Sequence, residues 1–138
     1  HERAALAGPI PARIVRAAQF HELVEMLMGW GRQGDEVYLP KMRTQIVAAR
    51  TVAEELAAVA LSGEPEGARP AEIAGPREEY LPDLAALLAA RHGEEVKIEA
   101  VSRPEDPDDV LAENGGLLPG PHARLAGPTF AEWVDAAA

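Results

Sequence analysis

His21-Glu22-Leu23-Val24-Glu25 begins like the helical zinc motif His-Glu-x-x-His. That motif needs two imidazoles one turn apart on one helix face, with the glutamate as general base of a hydrolase. Position 25 is Glu, so the second imidazole is missing. His1, His92 and His122 lie far apart without ligand spacing, and no metal is expected. Gly29-Trp30-Gly31-Arg32-Gln33-Gly34 matches the dinucleotide fingerprint Gly-x-Gly-x-x-Gly by spacing. A working fingerprint follows a strand and opens a helix, so that the helix N-terminus meets a pyrophosphate. Here it follows a helical pattern and precedes a strand pattern, and it reads as a loop. Tyr38 and Lys41 are three apart and flank Pro40. A lysine that lowers a phenol's pKa must lie four residues on along one helix, so this pair reads as an edge strand and a surface charge. Ser62 and Ser102 fall in loops without a base. The chain has no cysteine, which removes thiolate nucleophiles, thiolate metal sites and disulfides.

Gln19, Phe20 and His21 remain the sharpest candidates. They sit in Ala12-Arg13-Ile14-Val15-Arg16-Ala17-Ala18-Gln19-Phe20-His21-Glu22, where a short β-branched run passes through small and polar residues into a helical pattern. That order reads as strand, turn, helix. In open α/β sheets, ligands bind where strands end at their carboxyl edge, which places Ala17 to His21 at the expected functional edge. The plain alternative, favoured by composition alone, is a helix start with Phe20 in the core and His21 on the surface.

The elements that must position this edge follow from periodicity. The chain opens on what reads as the end of a helix, His1 to Leu6, stopped by Gly8-Pro9, and a preceding segment is expected. A strand is expected at about 12–16. From Phe20 to Gly29, the residues Phe20, Leu23, Val24, Leu27 and Met28 form one buried helical stripe. Glu36 to Leu39 reads as a short strand closed by Pro40, and Gln45 to Ala48 as another. Thr51-Val52-Ala53-Glu54 has the spacing of a capping box, opening a helix to about Leu61 that buries Val52, Leu56 and Val59. Ser62 to Pro70 reads as a loop, and Ala71 to Ala74 as a strand ended by Gly75-Pro76. A third helix spans about Glu79 to His92 with Leu81, Leu84, Leu87 and Leu88 on its apolar face and Gly93 as its cap. Glu95 to Val101 alternates Val96, Ile98 and Ala100 with charged residues, the pattern of a half-buried strand. A weak helix covers about 107–114, irregular chain 115–128, and a last helix about 129–134 with Thr129 as N-cap and Glu132 three residues on. Strands alternating with helices predict an α/β fold.

A length of 138 residues suits one domain, 1–138, with a modest core. Aromatics make up only 4%, so Leu, Val, Ile and Ala must fill the interior. A formal charge of −10 repels phosphate backbones and anionic lipid surfaces, so neither nucleic acid nor a membrane is an expected partner. No apolar run reaches the length of a membrane span and no signal peptide opens the chain, so the cytoplasm is the default compartment.

Several stretches together carry a resemblance. Arg13-Ile14-Val15-Arg16-Ala17-Ala18-Gln19-Phe20 resembles the "TIVRxxxF" stretch of NmrA-like atypical short-chain dehydrogenase/reductases. Val47 to Ala53 resembles their "V-x-x-x-D-V-A" step, with Thr51 in place of the Asp, and Ala71 to Pro76 resembles their "EIAGP" strand. Leu117 to Leu125 and Thr129 to Trp133 resemble the "LLPGPxARL…TFxEWL" tail of one bacterial subgroup. The resemblance covers the C-terminal half of such proteins. It implies a partial Rossmann-like sheet with flanking helices, forming the substrate-binding portion of an NAD(P)H-dependent oxidoreductase. It implies NADH or NADPH as cofactor, held mainly by a half that this sequence does not contain. Ala17, Gln19 and Phe20 would meet the cofactor. His21, Leu118 and His122 would meet a small-molecule substrate, under a cover formed by about 103–128. No residue here is assigned a catalytic role. The second expectation is a non-catalytic binding or redox-sensing module that acts through a protein partner. In either case the first strand lacks a neighbour on one side, and self-association or strand swapping is expected to cover it.

Overall fold

A computed structural model of the chain describes residues 2–8, 12–62 and 70–137. Helix α1, Glu2–Ala7, buries none of its residues and is tied to the next element by an ion pair between Glu2 and Arg16 at 2.6 Å. Strand β1, Val15–Ala17, then leads into helix α2, Leu23–Gly31. The expected strand, turn and helix are present, but the turn is longer and the helix starts later than the stripe predicts.

The hairpin strands β2, Arg32–Gln33, and β3, Glu36–Pro40, follow directly. Gln33 pairs with Glu36, leaving Gly34 and Asp35 as the whole turn. Gly34 has φ 63°, as a two-residue hairpin of type II′ demands of its first residue. The spurious fingerprint is thus the end of a helix and a hairpin. Strand β7, Lys97–Val101, pairs with β3 in parallel, Val37 opposite Ile98. β3 therefore lies in the centre of this sheet, and Tyr38 is not on an edge strand as its sequence context suggests; its hydroxyl donates to Glu36.

The chain from β3 onward departs from expectation. Strand β4, Arg43–Thr44, pairs with β6, Glu79–Tyr80, in an antiparallel ladder. Gln45 to Ala48 does not form a strand. Its one ladder contact is a parallel bridge from Val47 to Phe20, and Ile46, Val47 and Ala48 are buried as core instead. Helix α3, Ala49–Leu61, starts before Thr51, with Ala48 at the cap position and no side-chain cap bond. The capping box therefore does not form. Thr51 instead packs against Gly127, where an added Cβ would lie 2.4 Å from its hydroxyl oxygen. α3 buries Val52 alone, and Leu56 is 50% exposed rather than core.

Strand β5, Ala71–Ala74, lies between β1 and the short strand β8, Arg124–Leu125, with both pairings parallel. Helix α4, Leu81–Arg91, buries Leu81, Leu84 and Leu88 against α2 and the β3–β7 sheet, and ends at Gly93 with φ 67°. Burying each leucine contributes about 1.5–3 kcal/mol. Helix α5, Pro107–Glu113, is capped by Asp106, whose carboxylate accepts from the amides of Asp108 and Asp109. Helix α6, Phe130–Ala137, has the reciprocal cap its sequence predicts. The Glu132 amide donates to the Thr129 hydroxyl at 3.2 Å, and the Thr129 amide donates to the Glu132 carboxylate at 2.9 Å. The expected loop 62–70 lies, over 63–69, outside the described residues, as do His1 and Pro9.

The larger core joins α2, β3, α4 and α6 through Val24, Leu39, Leu84 and Phe130. A smaller one, Val47, Val52 and Ile73, lies under the β1–β5–β8 sheet. Among the described residues β1 pairs only with β5. The amide of Ala71 donates to the carbonyl of Ile14, and that of Ala18 to the carbonyl of Ile73. Because backbone groups alternate sides along a strand, Val15 and Ala17 turn theirs to the open edge.

Candidate functional site

The carboxyl ends of β1 and β5 meet over the segment Gln45 to Val47. Val47 donates its amide to the carbonyl of Gln19 at 2.9 Å, and His21 donates its amide to the carbonyl of Val47 at 3.2 Å. Gly75 and Gln45 exchange two more bonds: the Gly75 amide donates to the Gln45 carbonyl at 3.0 Å, and the Gln45 side chain donates to the Gly75 carbonyl at 2.9 Å. The backbones come so close that a Cβ on Gly75 would lie 1.8 Å from the Ile46 oxygen. The turn after β1 is therefore held from below by a fixed strut.

On that strut, Ala17 is exposed and Phe20 is 41% exposed. Gln19 is half-buried, and its side-chain oxygen accepts from the buried Thr44 hydroxyl at 2.9 Å. His21 is fully buried. The sequence alternative of a buried Phe20 and a surface His21 is thus inverted. The turn delays the helix start, so the inward stripe is His21, Val24 and Met28, with Phe20 rotated to solvent.

The His21 ring lies 5.6 Å from the Phe130 ring and 5.2 Å from that of Trp133, centroid to centroid. Its Nε2 lies 3.3 Å from the Pro128 carbonyl oxygen. A carbonyl only accepts, so Nε2 carries the proton and Nδ1 is a bare acceptor. Nδ1 is buried and has no hydrogen-bond partner. Burial pushes the imidazolium pKa below its ordinary value, against the opposing pull of the Pro128 carbonyl and the Glu22 carboxylate. The ring is therefore neutral at physiological pH.

His21 forms one wall of a cavity of about 230 Å³ between α2, α4 and α6. Leu88, Phe130, Trp133 and Val134 supply apolar walls. At its rim stand Glu22 and Glu25, with the Arg91–Asp135 ion pair at 2.7 Å. The guanidinium holds the Asp135 carboxyl below the usual range. Phe130, Trp133 and Val134 were findable as one face of the helix that Thr129 and Glu132 cap.

The remaining expected residues lie elsewhere. Leu118 is half-buried beside Gly115 and Arg43. His122 is exposed and lines a separate hollow of about 400 Å³ with Arg16, Glu72 and Gly120. The structure brings Ala17, Gln19, Phe20 and His21 to one edge and does not bring His122 to His21. Among the described residues, no group of three His, Asp or Glu is placed to hold a metal ion, and no helix is long and apolar enough to cross a membrane.

No protein-family model matches the chain, and no curated protein matches its sequence. Among solved structures it is similar to TunA, an NAD-dependent NDP-hexosamine 5,6-dehydratase of tunicamycin biosynthesis. That similarity has a TM-score of 0.54 at 17% identity, over 96% of this chain and 47% of that one. A weaker likeness, with a TM-score of 0.45 at 13% identity, is to RMD from Pseudomonas aeruginosa, solved with NADPH, over 98% of this chain and 46% of that one. The chain spans about half the length of the solved structures it matches. The likeness to TunA sets the fold class as α/β, a partial Rossmann-like sheet with flanking helices.

Proposed function

We propose that this chain is the substrate-binding portion of an NAD(P)H-dependent oxidoreductase of the NmrA-like kind, inactive without a cofactor-binding half. The supporting observation is the edge after β1, where the exposed Ala17 and Phe20 lie beside the Gln19 side chain pinned by Thr44. These residues suit the flat, apolar face of a nicotinamide ring. They do not suit its phosphates: among the described residues no glycine-rich turn opens a helix from a strand, as pyrophosphate binding needs. The cofactor would supply hydride, and this portion would shape the pocket through His21, while Leu118 and His122 stand apart from it. The open backbone groups of Val15 and Ala17 give such a half a strand to join. Without it, a second copy of the chain takes the edge.

A second reading, a non-catalytic binding or redox-sensing module, draws on one feature. His21 Nδ1 bears no proton to give, so the buried ring is an acceptor and not a general acid.

The test is to titrate NADH and NADPH against the chain alone, then against the chain mixed with the cofactor-binding half of an NmrA-like reductase. Nicotinamide fluorescence reports binding, and a quinone serves as general hydride acceptor. The oxidoreductase reading expects binding and consumption only in the mixture. Association without consumption favours the binding module. Failure of the halves to associate overturns the oxidoreductase reading.

A further inference from the structure

We propose that the cavity between α2, α4 and α6 binds a small organic cation, with an apolar body between its walls and one ammonium group at its acidic rim, against Glu22 and Glu25. This site is independent of the oxidoreductase reading and goes beyond it.

Charge sets the sign of the ligand. The ionisable side chains around the cavity, besides His21, are Glu22, Glu25, Arg91, His92 and Asp135. Arg91 and Asp135 pair at 2.7 Å and cancel each other. Glu22 and Glu25 stand one turn apart at the start of α2, and both are exposed. Among the described residues neither carboxylate accepts a hydrogen bond or forms an ion pair. The pull of the Glu22 carboxylate is felt at His21, so this charge reaches the wall of the cavity. His21 itself is fully buried and takes no part in polar recognition. The rim thus offers two uncompensated negative charges to a cation and repels an anion.

The walls set the body. Leu88, Phe130, Trp133 and Val134 are apolar, and the Phe130 and Trp133 rings lie 5.9 Å apart and 33° from parallel. An aromatic body finds offset and edge contacts there, and the half-buried Trp133 adds a ring that attracts a cation. The volume of about 230 Å³ suits one ring with a short arm, below the usual range for drug-sized ligands. A bare metal ion does not fit this surface: among the described residues no group of three His, Asp or Glu is placed to hold one, and apolar walls give it no ligands.

The probes are phenethylammonium, its neutral counterpart 2-phenylethanol, and the anion phenylacetate. The protein is the full chain carrying Trp30→Phe, so that Trp133 is the one fluorescent indole; Trp30 is 74% exposed and its loss leaves the core intact. At low salt phenethylammonium is expected to bind about fivefold more tightly than 2-phenylethanol, the worth of a cation beside exposed carboxylates and an indole. Phenylacetate is expected to bind more weakly than the alcohol. Raising the salt to about 0.5 M should shrink the preference for the cation and leave the alcohol unaffected. A Glu22→Gln, Glu25→Gln variant should bind the ammonium and the alcohol alike, with the affinity for the alcohol unchanged. In NMR of the unaltered chain, phenethylammonium is expected to shift the amide resonances of Glu22, Glu25 and Trp133 together. Equal affinity for the ammonium and the alcohol, or resonances of Glu22, Glu25 and Trp133 that stay in place, overturns the proposal even if a variant does not fold. No nicotinamide cofactor is involved, so failure here leaves the oxidoreductase test undecided, and failure there leaves this site standing.

Discussion

The imidazole of His21 and the carbonyl oxygen of Pro128 meet at 3.3 Å across 107 residues of chain. This contact joins the turn after β1 to the cap of α6. It sets the tautomer of the ring, and it holds the ring against Phe130 and Trp133, the three centroids forming a triangle with sides of 5.6, 5.2 and 5.9 Å. Replacing His21 by Ala removes the bond and opens a void in a fully buried position. A loss of about 2–4 kcal/mol is expected in urea unfolding. Phe20→Ala, at the neighbouring exposed position, is expected to cost about 1 kcal/mol. A larger cost at Phe20 than at His21 would reverse the inward and outward assignments.

Acid should loosen the same region before it affects the surface. The His21 pKa lies below its ordinary 6.5 in the folded state. The unfolded chain therefore takes up a proton at this residue before the folded chain does. Its contribution to stability is complete above pH about 6.5 and is lost as pH falls through the folded pKa. Glu78 and Asp135, both lowered by arginine partners, shift stability only below their ordinary 4.5 and 3.8. The urea midpoint should accordingly drop between pH 7.5 and 5.5, and His21→Phe should flatten that drop. A flat profile in the unaltered chain would exclude a depressed pKa.

Two glycines should respond in opposite directions to alanine. At Gly75 the new methyl would meet the Ile46 carbonyl oxygen at 1.8 Å, and both atoms belong to backbone that the strut fixes. Gly75→Ala is expected to cost about 3 kcal/mol. Gly29 lies within α2 with nothing inside 4 Å of its added Cβ. Gly29→Ala is expected to add about 0.5–1 kcal/mol of stability. Thermal melts of the two variants decide the matter.

The open edge of β1 should make the chain associate with itself. Sedimentation at tens of micromolar is expected to show dimers that dissociate on dilution. Ala17→Pro removes a donor that faces outward and leaves the bonds to β5 in place. It should yield a monomer with an unchanged circular dichroism spectrum. A monomer before substitution, at tens of micromolar, would count against self-association through this edge.

The sequence displayed the regular elements well and the irregular ones poorly. α4 was legible because Leu81, Leu84 and Leu88 repeat at helical spacing between an extended lead-in and Gly93. The cap of α6 was legible because Thr129 and Glu132 bond each other at a fixed separation. β4, β6 and β8 are too short to show alternation, and tertiary pairing alone creates them. Gln45 to Ala48 looks like a strand because it is apolar, yet it is buried as a strut with a single bridge. The Thr51 cap failed because α3 begins two residues earlier, at Ala49, which puts Thr51 inside the first turn rather than at its entry. The edge after β1 was legible as a place. Which of Phe20 and His21 turns inward depended on the length of one turn, and the partners of His21 come from the far end of the chain.

The parallel sheet carries a kinetic consequence. Val15 pairs with Ala71, and Ile73 in turn pairs with Arg124, so no two neighbouring strands of this sheet are close in the chain. The other sheet closes Val37 against Ile98 in the same fashion. Each such closure loses loop entropy before any contact repays it. The hairpin of β2 and β3 and the helix α4 can form locally, while β1 must wait for residues far downstream. Refolding should therefore run in milliseconds to seconds rather than microseconds. During that wait the Val15 strand is bare on both sides, and intermolecular pairing competes with folding most strongly at that moment.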